Sequence, residues 1–322
     1  MTEKSGKADI EPSELKFLKD LGWYETEDEL ESLFSDPFNS FDLERISELY
    51  SPNEGPLDFG YLMFTDLEDA SLIFQKKHIL GLNLSLESTI PSSIKNLKKL
   101  KMLLLKDYET SKSSEKNYDD DDIFAKIAPL SNLRYLRFIN TQIREIPNLA
   151  KMFPKLRHFT LDGTNLQTTP IWLFKFVQKH YSSRFYTRKG VVKEEAEMLA
   201  VLAILFGWGS CGHSVNDSGN VVELKLGYHI HDWYDAIPYI PEEISRFQHL
   251  ERLYINVGTF PFYGEQGDIW IPESISKLKS LRYLCTDAKY SEQLMPYLNS
   301  LDKFEVDTYE GDEGGDDPNV IR

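Results

Sequence analysis

Cysteine is scarce in this sequence, which has only Cys211 and Cys285 among its 322 residues. Two cysteines in so long a chain exclude the disulfide framework that holds small secreted scaffolds together. Rare cysteine is typical of a reducing compartment, and we therefore expect a cytoplasmic protein.

Long hydrophobic runs are missing as well. The most apolar stretch, residues 198–209, is shorter than the about 20 residues that a membrane-spanning helix needs. The first residues, MTEKSGKADIEPSELK, have no apolar run behind their lysines, so no secretory signal peptide is expected. We predict that the protein has no membrane partner.

A surplus of basic residues is also absent, because the formal net charge is −16. Residues 1–60 carry 16 acidic and 5 basic side chains, and residues 302–322 carry 8 and 2. Nucleic-acid binding needs a basic surface that neutralises phosphates, so we expect no nucleic-acid partner. The acidity lies at the two ends, and the region between them is nearly neutral.

Familiar catalytic motifs are absent from the sequence too. It contains no GxxxxGK[ST] loop for nucleotide phosphates, no GxSxG nucleophile elbow and no HExxH metal helix. We therefore predict that the protein is not an enzyme and uses neither a cofactor nor a metal.

A repeated apolar pattern fills the nearly neutral middle of the chain. The segment LRYLRF at 133–138 recurs as LRHFTL at 156–161, which gives a period of 23 residues. A strand with this spacing cannot bury its apolar side alone, but stacked units bury one another and form one continuous core. Similar segments, giving about eight units in all, begin at Ile79, Leu100, Val221, Leu250, Leu281 and Leu301.

The segments that follow the strands share a second template, I-P-x-x-I, which begins at Ile90, Ile240 and Ile271. Together the two patterns resemble the leucine-rich repeats of intracellular Ras-binding-type and plant disease-resistance-type proteins. The resemblance covers about residues 79–306, with a gap at 171–219. It implies an α/β fold: a curved solenoid with a parallel sheet on its concave face, used for protein–protein recognition.

The repeats depart from that family at the ninth place, where asparagine is common. Thr141 and Thr164 stand there in the two clearest repeats, and other residue types stand there elsewhere. We therefore expect an irregular solenoid.

Six segments are predicted along the chain. A helical cap must precede the repeats, because a terminal repeat leaves an apolar face uncovered. The segments are a disordered N-terminus at 1–9, a helical N-terminal cap at 10–75, a first repeat block at 76–170, a helical insertion at 171–219, a second repeat block at 220–308 and an acidic disordered tail at 309–322.

Two charged stretches are interpreted as surface features. Residues 109–122 end in four aspartates but lack the glycine and distal glutamate of a calcium loop, so a solvated loop is expected. Residues 179–189, KHYSSRFYTRK, form either an ordinary surface loop or a contact for an acidic or phosphorylated group.

The predicted binding site follows from strand geometry. Side chains alternate along a strand, so the places between the core positions face away from the core. Tyrosine and arginine, which are enriched at interface hot spots, stand at several of them. We predict a monomer that binds a protein partner on the concave face, unless the insertion or the N-terminal helices cover that face. The contact residues would be Met102, Leu104, Tyr135, Arg137, His158, Arg252, Tyr254 and Tyr283.

Two alternative functions stay open at this stage. One is a small-molecule site between the insertion and the sheet. The other is a thiol or metal-dependent enzyme, although no second pair of ligands at zinc spacing supports it. The residues of that enzyme would be Cys211, His213, His229 and His231.

Overall fold

The structure is a computed structural model of the chain. It describes residues 10–26, 28–30, 72–75, 78–86, 90–106, 120–139, 141, 143, 145–162, 164, 166, 168–180, 183–206, 211–227, 239–255, 271–287, 294–297 and 305–309.

Two five-stranded sheets form the framework, and they share one strand pattern. In each sheet the first strand is antiparallel to the second, and the remaining strands run parallel to it. The first sheet contains β1 (Leu72–Gln75), β2 (His78–Ser85), β3 (Met102–Lys106), β4 (Tyr135–Ile139) and β5 (His158–Asp162). The second contains β6 (Cys211–Val215), β7 (Val221–Leu226), β8 (Arg252–Ile255), β9 (Tyr283–Asp287) and β10 (Glu305–Tyr309).

Helices lie before, between and within the two sheets. They are α1 (Pro12–Asp20), α2 (Asp120–Ile127), α3 (Leu149–Met152), α4 (Ile171–Lys179), α5 (Ser183–Arg188) and α6 (Lys193–Phe206), with 3₁₀ segments at Ser92–Asn96, Glu242–Arg246 and Glu273–Lys277. Among the described residues, no helix is both long enough and apolar enough to span a membrane.

The predicted register of the parallel strands is confirmed. Leu136 pairs with Leu103 on one side and with Phe159 on the other, and all three side chains are fully buried. Leu253 and Leu284 hold the same place in the second sheet and are buried in the same way. The apolar places of neighbouring repeats therefore stack into one core, as the repeat pattern predicts.

Each I-P-x-x-I template forms a 3₁₀ segment between strands. Pro91 stands directly before the first of these segments in an extended conformation, which its ring favours, and Pro241 and Pro272 repeat this arrangement. The second isoleucine of each template is fully buried, so it anchors the return segment to the core. These isoleucines are Ile94, Ile244 and Ile275.

Side-chain hydrogen bonds join neighbouring repeats at places just before the strands. Asn132 donates through Nδ2 to the Lys98 carbonyl at 2.6 Å, and Ser280 donates through Oγ to the Gln248 carbonyl at 3.0 Å. Thr164 stands at the ninth place and donates to the Leu161 carbonyl of its own repeat at 3.0 Å. Asparagine and serine just before the strands therefore connect these repeats.

Helix α6 connects the two sheets through the core. It packs against β5 of the first sheet, and against β6 and the 3₁₀ segment Glu242–Arg246 of the second block. Its residues from Glu195 to Phe206 are all buried, which suits a helix that is apolar on nearly every face. Residues of α6 belong to the same hydrophobic core as Phe159 and Leu161 of β5. The helix therefore covers the core beside β5, as a further repeat would.

Three expectations about local structure need correction. Strand β1 lies within 10–75 and strand β6 within 171–219, although both regions were expected to be helical. Each strand forms an antiparallel hairpin with the next one and covers the edge of the parallel strands. In addition, Asp120–Asp122, the end of the predicted loop 109–122, form the first turn of α2, where acidic residues are favoured. Residues 109–119 of that prediction lie outside the described residues. Of the predicted disordered ends, 1–9 and 309–322, only Tyr309 is described, and it is the last residue of strand β10. The other residues of both ends lie outside the described residues.

Candidate interaction surface

The predicted contact residues lie on the sheet face opposite the core, which we call the outer face. Strand pairing aligns them in rows across the strands. In the first sheet one row is Gly81, Met102, Tyr135 and His158, and the next is Asn83, Leu104, Arg137 and Thr160. In the second sheet the rows are Glu223, Arg252, Tyr283 and Glu305, and then Lys225, Tyr254, Cys285 and Asp307.

Met102 and Leu104 are not exposed, contrary to the prediction. Both side chains have no accessible surface, although they face away from the core of Leu103 and Leu105. The hairpin explains part of this burial, because Ile73 of β1 also points to the outer face. A Cβ atom added at Gly81 would lie only 2.8 Å from the Cδ1 atom of Ile73. Met102 and Leu104 therefore belong to a second buried apolar layer and cannot contact a partner directly.

Tyr135 and His158 form a stacked pair on the outer face of the first sheet. Their ring centroids lie 5.1 Å apart, and the rings are nearly parallel at 4°. Both side chains are partly exposed, but the Nδ1 atom of His158 is buried. Burial, together with the charges of Arg157 and His180, lowers the pKa of His158 to about 4. The pair therefore offers a neutral, flat aromatic surface at neutral pH.

Arg137 adds a cation to the predicted surface on the first sheet. It lies one row along from Tyr135, between Leu104 and Thr160 in the strand register, and its side chain is half-buried. Burial also raises the pKa of the Tyr135 hydroxyl, so this group stays protonated and can donate a hydrogen bond. The first sheet thus brings together Tyr135, Arg137 and His158.

A cation–aromatic network covers the outer face of the second sheet. The rings of Tyr254 and Tyr283 lie 5.4 Å apart at 50°. Lys225 lies over Tyr254 at 5.0 Å, and Arg252 lies over Tyr283 at 5.2 Å, measured to the ring centroids. Both cations also contact the Glu223 carboxylate, at 3.7 Å from Lys225 and 3.8 Å from Arg252. The five side chains hold one another in place before any partner binds.

Water still reaches much of this network. The Arg252 and Lys225 side chains are 55% and 44% exposed, and that of Glu223 is 19% exposed. Cation–π contacts at such exposed sites contribute only about 0.5–1 kcal/mol each, so the network contributes little to the stability of the fold. It leaves two aromatic rings and two cations available at the surface.

Glu223 and Lys225 are the members of this network that the sequence-based prediction missed. They stand at the same outward places as Arg252 and Tyr254, so the strand pattern could have identified them. Their role in the network depends on contacts with side chains of neighbouring strands. Choosing outward residues only for being tyrosine or arginine does not identify such contacts.

Two residues of the alternative enzyme site, Cys211 and His213, lie on strand β6 among the described residues. His213 pairs with Leu224 on the core side of β6 and meets the Tyr186 ring edge-on at 5.4 Å, and burial lowers its pKa. Cys211 pairs with Leu226, and both cysteines are thiols. His229 and His231 lie outside the described residues. Within the described part of the chain, no three histidine, cysteine or acidic side chains cluster as metal ligands.

A cavity of about 320 Å³ lies where the insertion meets the first sheet. His180, at the end of α4, supplies the insertion side. The other lining residues are Arg134, Pro154, Lys155, Leu156 and Arg157. Small-molecule sites are mostly apolar, whereas three of these six lining residues are cations, so the cavity does not favour an apolar small molecule.

Comparison with known proteins gives structural similarities and no family assignment. No family model matches the sequence, and no curated protein matches it significantly. Among solved structures, a leucine-rich repeat protein of Leptospira interrogans shares 19% identity over 71% of this chain and 54% of its own, with a TM-score of 0.23. An internalin of Listeria monocytogenes shares 17% identity over 74% of this chain and 61% of its own, with a TM-score of 0.23.

A third similar structure is the leucine-rich repeat ectodomain of a plant membrane receptor kinase from Arabidopsis thaliana, in complex with Casparian strip integrity factor 2. It shares 14% identity over 76% of this chain and 33% of its own, with a TM-score of 0.22. The chain therefore spans just over half the length of the first two structures and a third of the last. Because these TM-scores are low, the description of the fold rests on the strand register and on the buried leucine positions of this chain.

Proposed function

We propose that this protein is a non-enzymatic protein-interaction module that binds a partner on its outer face. The contact residues are Tyr135, Arg137 and His158 in the first sheet and Arg252, Tyr254 and Tyr283 in the second. Met102 and Leu104 lie beside Tyr135 and Arg137 on the neighbouring strand and are buried.

One observation carries the proposal: the network of Glu223, Lys225, Arg252, Tyr254 and Tyr283 is ordered yet partly exposed. Interface hot spots are enriched in tyrosine and arginine, because these side chains bury a large area and keep a polar group for hydrogen bonding. Side chains that are already held in place lose less conformational entropy when a partner covers them. A protein surface with matching aromatic and acidic groups fits this array.

The finer parts of the proposal rest on the sequence. The I-P-x-x-I template, which forms 3₁₀ return segments, supports repeats of the intracellular Ras-binding or plant disease-resistance type in a curved solenoid, with the outer face as its concave side. Two cysteine thiols support a cytoplasmic location. We further propose that the protein acts as a monomeric scaffold.

The test compares partner capture by three forms of the full chain. The first is the wild type, and the second is the triple variant Arg252→Ala, Tyr254→Ala and Tyr283→Ala. The third carries Lys277→Ala and Arg282→Ala, which change two exposed cations of the same repeats away from the outer face. Proteins retained from the native cell are identified by mass spectrometry, and direct binding of each purified candidate is then measured.

We expect the triple variant to lose the direct interaction, with its unfolding midpoint near that of the wild type, and the control variant to keep it. Equal binding by wild type and a folded triple variant would contradict the proposal.

Metal analysis of the purified protein tests the alternative function, a metal-dependent enzyme. Stoichiometric zinc would replace the interaction module with the metal-dependent alternative that includes Cys211, His213, His229 and His231.

A further inference from the structure

A row of cations stands directly before the strands of the first sheet, at their amino-terminal ends. Lys101, Arg134 and Arg157 are the residues immediately before β3, β4 and β5. The Arg134 amide donates to the Lys101 carbonyl and the Arg157 amide to the Arg134 carbonyl, both at 2.8 Å. Because adjacent strands lie about 4.8 Å apart, these three backbone positions are close neighbours. With Lys99 and Lys155 beside them, we call this set the cationic ridge.

The ridge cations are open to solvent, and no described carboxylate forms an ion pair with them. Lys99, Arg134, Lys155 and Arg157 are exposed, and Lys101 is partly exposed. Among the described residues, none of the ion pairs includes a ridge cation. Lys155 donates instead to the Asn132 side chain at 2.5 Å. In a protein with a net charge of −16, such a cluster is unusual and does not follow from the overall charge.

The fold itself does not require this charge pattern. In the second sheet the equivalent places before β8 and β9 hold Glu251 and Arg282, which are joined by the same backbone bond at 2.9 Å. Opposite charges there stabilise each other, whereas like charges on neighbouring strands are destabilising. A bound anion would remove the repulsion along the ridge.

The cavity between the insertion and the sheet continues the ridge. Arg134, Lys155 and Arg157 line it, and His180 completes it from the end of α4. Burial, together with the charges of Lys179 and of Arg157 in the ridge, lowers the pKa of His180. The ridge thus has an elongated strip along the strand ends and a pocket at one end large enough for a side chain.

We propose that the cationic ridge binds an extended acidic peptide segment of a partner protein, with one carboxylate side chain in the cavity beside His180. Arginine presents a planar fork of donors that matches a carboxylate, and two such forks stand on neighbouring strands. A peptide that crosses the strand ends meets a new cation at each strand. A long polyanion such as a nucleic acid is disfavoured, because it would extend from this small ridge into the field of an acidic protein.

The experiment measures binding of a fluorescein-labelled oligoglutamate peptide to the full chain by fluorescence anisotropy. The test variant is Arg134→Gln with Arg157→Gln. The matched control is Arg282→Gln, an exposed arginine at the equivalent place in the second sheet that carries the same chemical change. A DNA oligonucleotide with the same number of negative charges is the competing probe. Thermal unfolding of each variant is recorded alongside.

We expect the peptide to bind the wild type and Arg282→Gln equally, and the double variant to bind about tenfold more weakly or worse. Binding should weaken as the ionic strength rises towards about 0.15 M, because salt screens exposed charges. The ridge is distinct from the tyrosine network, so the triple variant at Arg252, Tyr254 and Tyr283 should bind the peptide normally. This keeps the present test independent of the proposed function.

Four outcomes would overturn the proposal. They are no binding of the peptide at low salt, an equal loss in Arg282→Gln, and tighter binding of the oligonucleotide than of the peptide. The fourth is tighter peptide binding by a variant with Asp316→Asn and Asp317→Asn, because the acidic tail of the chain itself would then be the occupant.

Discussion

The Glu14 carboxylate accepts a 2.8 Å hydrogen bond from the backbone N–H of Ile79, the first core residue of the first repeat. Glu195 does the same for Val221, the first core residue of the second block, at 2.5 Å. Both glutamates lie on a helix that precedes its block, and both are almost fully buried. Each block thus begins with the same arrangement: a helix, an antiparallel hairpin, and a buried carboxylate on the first parallel strand.

We predict that Glu14→Ala and Glu195→Ala each lower the free energy of unfolding by about 1–3 kcal/mol, because a buried N–H loses its acceptor. Glu14→Gln and Glu195→Gln should lose less, since the amide oxygen can still accept the bond. Urea unfolding of the four variants gives the measurement. If the alanine and glutamine variants lowered the free energy of unfolding equally, the hydrogen bonds accepted by Glu14 and Glu195 would not contribute to stability.

The pH dependence of the glutamine variants provides a second prediction. Burial raises the pKa of both carboxyl groups above the ordinary value of 4.5. The folded state therefore holds the proton more tightly than the unfolded state, and stability falls as pH rises from 4.5 through the raised pKa. Glu14→Gln and Glu195→Gln should reduce this fall. A urea midpoint measured at several pH values checks it, and an unchanged slope would contradict it.

The leucine places of the repeats give a prediction for the core. Leu136 and Leu253 are fully buried in the first and second sheets. Leu136→Ala and Leu253→Ala should each cost about 2–5 kcal/mol, the range for buried leucines that leave a cavity. Arg282→Ala, at an exposed place, should change stability by no more than about 0.5 kcal/mol. Urea unfolding separates these outcomes, and a small effect at Leu136 would show that the core is not packed there.

The strand register could be predicted because it depends on local spacing. Only one strand pairing buries Leu136, Phe138 and Ile143 together, because of their spacing in the sequence. The same spacing recurs 23 residues later. The I-P-x-x-I template is equally local, since proline fixes its own backbone angle and the next isoleucine anchors the turn. Short-range chemistry therefore determined the repeats.

The hairpins and the buried outer layer could not be predicted in the same way. Strand β6, CGHSV, has few apolar residues and forms because β7 offers it an edge. Met102 is fully buried, and its strand partner Gly81 lies against Ile73 of β1, a residue distant in sequence from Met102. A pattern within one strand shows which way a side chain points, but not what covers it.

Burial of the outer layer predicts that Met102 and Leu104 contribute to stability. Met102→Ala and Leu104→Ala should each cost about 2–5 kcal/mol, as truncations in a core do. If the side chains were exposed contact residues, the cost would stay within about 0.5 kcal/mol. Urea unfolding of both variants, compared with Arg252→Ala on the exposed part of the outer face, distinguishes the two cases.

The stacked pair on the first sheet gives the clearest pH prediction. His158 has a pKa of about 4 in the folded state, against an ordinary value of 6.5, because burial and the nearby charges of Arg157 and His180 disfavour its protonated form. The unfolded chain therefore binds more protons between pH 6.5 and 4, and stability that is fully present above pH 6.5 is lost as the pH falls through this range.

The variant His158→Phe keeps a flat ring beside Tyr135 but cannot be protonated. We expect it to make the free energy of unfolding less dependent on pH in this range. His180 and His213, whose pKa values are also lowered, should contribute to the dependence that remains, whereas Glu14 and Glu195 contribute with the opposite sign. Unfolding by urea at intervals from pH 7 to pH 4 measures the difference, and identical slopes for the variant and the wild type would mean that His158 is protonated as easily in the folded state as in the unfolded chain.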